Sequence, residues 1–119
     1  MTVEQIANRL ADYCRNEQFS EAQKALYAED AVSIEPFEFS GFKKETRGLS
    51  ALKEKDEKFS SMVESRYGTT VSEPQVAGNS FSFVLTMDMK MKGRNRELLK
   101  EICVYTVKDG KIISEQFFM

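Results

Sequence analysis

The chain contains no histidine among its 119 residues. That absence removes the commonest general base at neutral pH and the commonest transition-metal ligand together. Only two cysteines are present, Cys14 and Cys103, and their spacing suits no metal. They are expected in a helix and a strand as free, buried and reduced thiols, which points to the cytoplasm. No apolar run approaches the ~20 residues that span a bilayer. The first residues, Met1-Thr2-Val3-Glu4-Gln5, lack the basic flank and apolar block of a signal peptide. There is no glycine-rich phosphate loop, serine elbow or metal-ligand cluster, so neither a metal nor an organic cofactor is implied. A net charge of −2 argues against a nucleic-acid or anionic-membrane surface.

What is present is enough for one domain, residues 1–119, with a core that needs no disulfide. The strongest signal is the stretch from Ser80 to Met119. Phe81, Phe83, Leu85, Met87, Met89 and Met91 recur with a period of two, the mark of a long strand with one buried face. Gly93-Arg94-Asn95 predicts a turn. A second strand, about Glu97 to Val107, is apolar on both faces, with Leu99, Cys103, Tyr105 and Val107 on one and Leu98, Ile102 and Val104 on the other. Asp109-Gly110 predicts a tight hairpin into a last strand from Ile112.

Upstream, Thr2 and Gln5 can form a capping box for a helix over about 3–16, and Ser20 and Gln23 a second one for a helix to about Ala28. Asp30 to Phe37 reads as a short strand near a sheet edge, since Pro36 lacks a ladder donor. Residues 38–47 read as a loop, apolar only at Phe39 and Phe42. A third helix is expected from about Leu49 to Val63, its wholly charged middle, Lys53 to Lys58, meeting solvent or a rim. Glu64 to Val76 suggests a long bent strand broken at Gly68 and Pro74. Helix, helix, strand, helix and then antiparallel strands make an α+β domain. Three helices on a strongly curved, mainly antiparallel sheet give a cone with an internal pocket.

The segment Ala25-Leu26-Tyr27-Ala28-Glu29-Asp30-Ala31-Val32-Ser33-Ile34-Glu35-Pro36 resembles the helix-to-strand junction of SnoaL-like and ketosteroid-isomerase-like proteins. These form part of the superfamily named for nuclear transport factor two. Tyr105 to Phe118 is similar to that family's last hairpin, and the element order agrees over the whole chain. The resemblance implies a cystatin-like, SnoaL-like cone. For activity it spans isomerases, cyclases, dehydratases, hydrolases and proteins with no catalysis. It matches Glu35 to the carboxylate that serves steroid isomerases as general base. Their oxyanion-holding tyrosine falls near Leu10 and their aspartate at Cys103; leucine donates nothing and a thiol donates weakly.

On the strand, Glu35 shares a face with Ala31, Ser33 and Phe37. Glu115 shares one with Ile113 and Phe117, and the resemblance turns that face inward. Two inward carboxylates would share a proton or grip a polar ligand, so Glu35 and Glu115 are the candidate catalytic pair. Glu101, Cys103 and Tyr105 lie on one face of their strand. Tyr13 and Tyr105 are candidate phenolic donors, while Phe83, Leu85, Met87 and Phe117 are candidate pocket wall suited to an apolar ligand. The face bearing Leu98, Ile102 and Val104 has no helix to cover it and is expected to form a homodimer interface. These residues point to a protein that binds a small, largely apolar carbonyl or hydroxyl compound, with proton transfer if it is an enzyme. The alternative is a non-catalytic accessory or interaction domain. The basic group Lys90, Lys92, Arg94 and Arg96 reads as a solvated hairpin.

Overall fold

A computed structural model describes residues 1–38 and 41–119, so the expected apolar position Phe39 lies outside the described residues. Among the described residues, three helices, α1 (Val3–Arg15), α2 (Phe19–Leu26) and α3 (Leu49–Met62), accompany seven strands. The strands are β1 (Tyr27–Ile34), β2 (Glu45–Arg47), β3 (Val63–Val71), β4 (Gln75–Ala77), β5 (Ser80–Met91), β6 (Arg96–Lys108) and β7 (Lys111–Phe118). They form one sheet in the order β2-β1-β7-β6-β5-β3, with β4 also on β5. Every pairing is antiparallel except β1 with β7, which is parallel. The architecture is the expected α+β one, three helices on a curved, mostly antiparallel sheet.

Local chemistry accounts for most boundaries. The Thr2 and Gln5 capping box opens α1, each side chain bonding the other's backbone N–H. Ile6, Ala7, Leu10, Ala11 and Cys14 form the stripe that α1 buries. Each fully buried Ile or Leu there contributes about 1.5–3 kcal/mol. Asp109 and Gly110 both take positive φ, as a two-residue hairpin requires, and turn β6 into β7. On β5 the expected alternation is complete, with Phe81, Phe83, Leu85, Met87, Met89 and Met91 all buried.

Four boundaries differ from the sequence reading. The second capping box does not form: α2 starts at Phe19 with Gln18 as an N-cap that makes no side-chain bond. Gln23 instead points inward and donates to Asp56 at 2.9 Å. Strand β1 begins at Tyr27, where the sequence predicted helix, and ends at Ile34, one residue before Glu35. Within residues 38–47, read as loop, Glu45 to Arg47 pairs with β1 as a short outer strand. The expected bent strand after α3 is divided into β3 and β4, which pair with successive parts of β5.

One register shift matters for the site. Thr106 opposes Ser114 but Val107 opposes Ile112, so Ile113 is an extra residue, a β-bulge. The bulge puts Ile112 on the inner face with Glu115 and leaves Ile113 half-exposed. Strict alternation would have placed Ile113 inside.

Candidate functional site

Sheet and helices surround a cavity of about 590 Å³. Pairing register explains what faces it. Ser33 on β1 lies beside Glu115 on β7, Glu115 opposes Tyr105 on β6, and Tyr105 opposes Phe81 on β5. Side chains at paired positions project from the same face. One row across the sheet therefore carries a hydroxyl, a carboxylate and a phenol inward. Leu10 and Cys14 of α1, Leu85 and Met87 of β5, Phe59 of α3 and Phe117 of β7 supply apolar wall. Exposed Phe37, Arg94 and Glu97 mark the mouth.

The polar groups form one chain of contacts. The Lys55 ammonium lies 2.9 Å from a Glu35 carboxylate oxygen and donates to Ser33 Oγ at 2.8 Å. Ser33 donates in turn to Glu115 Oε2 at 2.7 Å, and the Tyr27 hydroxyl donates to Glu115 Oε1. Glu115 and Ser33 are buried, and the Lys55 and Glu35 side chains are only 16% and 12% exposed. Among the described residues, two acceptors meet the three N–H groups of Lys55, so the third can serve a ligand oxygen.

Electrostatics in the cavity are those of crowded acids. Burial raises Glu115 above the ordinary carboxylate range, against the opposing bonds from Tyr27 and Ser33 and the charge of Lys55. Burial first, then the charges of Glu35 and Glu115, push Glu101 up to about 7. Burial and then Glu115 push Asp56 up to about 6. Burial, followed by Glu115, raises Tyr27 well above its usual value, so it remains a protonated donor. Burial pushes the Cys14 thiol up to about 12 and raises Cys103 as well, so both stay protonated and weakly nucleophilic.

An acid whose folded pKa exceeds its unfolded value binds extra protons in the native state, so stability falls as pH rises through that window. For Glu101 the window runs from its ordinary value of 4.5 to about 7. Glu101→Gln is expected to match the wild type near the lower limit and to exceed it above the upper one, by on the order of 2 kcal/mol. Urea midpoints at the two pH values check this; equal wild-type and variant stability at high pH would contradict the upward shift of Glu101.

The structure brings together Glu35, Glu115, Glu101, Tyr105, Leu85, Met87 and Phe117 in the cavity lining. Three candidates stand apart from it. Phe83 is buried in the core, its ring centroid 5.3 Å from that of Tyr105. Cys103 opposes Phe83 and is sealed at 0% exposure. Tyr13 is half-buried on α1 against the core rather than against the cavity. Its place one residue before Cys14 puts it off the centre of the buried stripe. Leu10, at the isomerase tyrosine position, does line the cavity and presents only carbon.

Sequence reasoning missed Tyr27, Ser33 as a hydrogen-bonding member, Lys55 and Asp56. The signal for the last two was available. Lys55 and Asp56 follow Leu52 by three and four residues and precede Phe59 by four and three, so both lie on the helix's apolar side. Among the described residues, no group of three or more acidic or thiol side chains is arranged to hold a metal ion.

No curated protein matches the chain. A solved structure from Mesorhizobium loti, provisionally named a SnoaL-like polyketide cyclase, is 29% identical over 100% of both chains with a TM-score of 0.92. A cystatin-like-fold protein of unknown function from Xanthomonas campestris shares the fold at 14% identity, with a TM-score of 0.83 over 99% of this chain and 90% of that one. So does a protein from Jannaschia sp. CCS1, also provisionally named a SnoaL-like polyketide cyclase, at 13% identity. Its TM-score is 0.77 over 98% of this chain and 83% of that one. The family model for the SnoaL-like domain matches residues 1–119. With the inward carboxylates, the curved sheet and that match in agreement, the chain belongs to the SnoaL-like family.

Proposed function

We propose that the cavity binds a small, largely apolar molecule bearing a carbonyl or hydroxyl group and transfers a proton on it. The observation that supports this reading is the Glu35–Lys55 pair in the cavity wall, 2.9 Å apart and mostly shielded from water. A ligand carbonyl accepting the third N–H of Lys55 sets the adjacent carbon beside the Glu35 carboxylate. Glu35 takes a proton from that carbon, the electron pair moves onto the carbonyl oxygen, and the ammonium stabilises the negative charge formed there. Returning the proton to another atom completes an isomerisation. Lys55 thus fills the role that Leu10 and Cys103 leave empty. Glu115, held by Tyr27 and Ser33, orients Ser33 and hence the lysine, and its raised pKa suits it to pass a proton on.

The outer sheet face carries the second part of the proposal, a homodimer. Val84, Ile102 and Phe118 oppose one another across β5, β6 and β7, and all three are exposed, as is Leu98 on the same face. Val104 on that face is half-buried. A contiguous apolar row of this kind is costly in water and suits a self-complementary contact. The two buried free thiols fit a reducing compartment, the cytoplasm. Among the described residues no helix is long and apolar enough to cross a membrane.

Native mass spectrometry of freshly purified protein, repeated after denaturation, tests both parts. The expected result is a dimer carrying a releasable small molecule. An empty dimer would favour a non-catalytic accessory domain, and an empty monomer at micromolar concentration would overturn cavity and interface together.

A further inference from the structure

The charges of the cavity do not balance, and the imbalance has a sign. Glu35 is paired with Lys55 at 2.9 Å, and Glu17 with Arg66 at 3.5 Å. Among the described residues, no ion pair reaches Asp56, Glu101 or Glu115. Asp56 accepts from the Gln23 amide, Glu115 from two hydroxyls, and Glu101 has only a long 3.8 Å contact from the Cys103 thiol. Among the described residues, the exposed part of the lining adds the acids Glu21 and Glu97 and one cation, Arg94. Among the described residues, the interior cations are therefore Lys55 and the half-buried Arg66, the latter already paired with Glu17, against four carboxylates, Glu35, Asp56, Glu101 and Glu115. Phe59, Phe117 and Tyr105 line the same cavity. Carboxylates with aromatic faces beside them are the surroundings that hold an organic cation.

Resting on the reading of this cavity as a ligand site, we propose that its ligand carries a cationic nitrogen. The nitrogen would be protonated or quaternary, on an otherwise apolar body, and would settle among Asp56, Glu101 and Glu115 against the aromatic wall. It supplies the positive charge that the protein withholds. Before binding, the same acids reduce their mutual repulsion by holding protons, which agrees with the upward shifts of Glu101 and Asp56. Lys55 acts against both shifts, and Arg66 against that of Asp56, without cancelling them. Cation binding must then expel protons into solution.

The test uses benzyl-(2-hydroxyethyl)dimethylammonium and its neutral isostere, with carbon in place of nitrogen. The quaternary nitrogen cannot titrate, so any proton released comes from the protein. Calorimetry at about pH 6.5, between the values for the two acids, is run in phosphate and in Tris. The expected result is binding about tenfold or more tighter for the cation, with enthalpies that differ between buffers in the sense of proton release. Glu101→Gln and Asp56→Asn should each lower cation affinity several-fold and leave the neutral isostere unaffected. Equal affinity of the two probes, or tighter binding of the neutral one, overturns the cationic ligand and leaves the cavity reading intact. Binding of neither at millimolar concentration overturns both.

Discussion

Replacing Lys55 with methionine is expected to destabilise the protein by about 3 kcal/mol at neutral pH, the usual result of removing one partner from a buried ion pair. Methionine preserves the volume of the lysine stem, so the packing over Phe117 survives and the loss is electrostatic. Both side chains of the pair are largely shielded, at 16% and 12% exposure, so solvent screens little of the effect. The substitution leaves Glu35 facing Glu101 and Glu115 with no cation between them, and removes the donor that Ser33 accepts from. Two companion measurements separate charge from packing. At acid pH, where carboxylates neutralise by protonation, the difference should narrow. The double variant Lys55→Met/Glu35→Gln should recover much of the loss, since Glu35 then no longer adds an unpaired charge beside Glu101 and Glu115. Urea midpoints report all three. A Lys55→Met change below about 0.5 kcal/mol would mean that the pair behaves as a surface one.

Fold was legible because its signals are local. The six alternating apolar residues of β5, the Asp109-Gly110 turn and the Thr2–Gln5 capping box each state their structure within a few residues. The errors lie where tertiary contact outweighs local preference. Ser20 and Gln23 satisfy a capping-box pattern, yet Gln23 gains more as a buried donor to Asp56 than as a cap. Tyr27 continues the helical pattern of α2, but its ring and hydroxyl are captured by the inner sheet face and Glu115, so β1 starts there. The Ile113 bulge has no sequence mark at all, since isoleucine fits a strand on either face.

The site was legible in part for a related reason. Glu35 and Glu115 stood out as acids among apolar neighbours, and both line the cavity. Tyr13 was expected there from helical spacing, but a shift of one position along α1 moves a side chain about a quarter turn, and Cys14 takes the inward place. Phe83 and Cys103 are on the correct face of their strands but opposite each other in the packed part of the core. A face is a sequence property, whereas a cavity depends on which part of that face a helix covers. Lys55 and Asp56 were hidden in plain composition: six charged residues in a row, Lys53 to Lys58, resemble a solvated turn, and only their phase relative to Leu52 and Phe59 distinguishes the inward two.

Proton transfer by Glu35 is the central claim, and Glu35→Gln is expected to slow it by about a hundred- to ten-thousandfold, the range for loss of a positioned general base. Glutamine keeps the size of the side chain and an oxygen for Lys55 to donate to, and Lys55 keeps the neighbouring acids Glu101 and Glu115, so fold and ligand affinity should change little. A loss confined to turnover identifies a group that acts on the transferred proton, whereas a positioning role would weaken binding too. The most direct measurement follows deuterium from solvent water into the small molecule released from the purified protein, by proton NMR, with wild type and variant side by side. The expected result is rapid exchange at the carbon beside the carbonyl with the wild type, and exchange at least about a hundredfold slower with Glu35→Gln, at affinities within about threefold of each other. Exchange by the variant at the wild-type rate, or exchange by the wild type no faster than in buffer, would contradict the assignment.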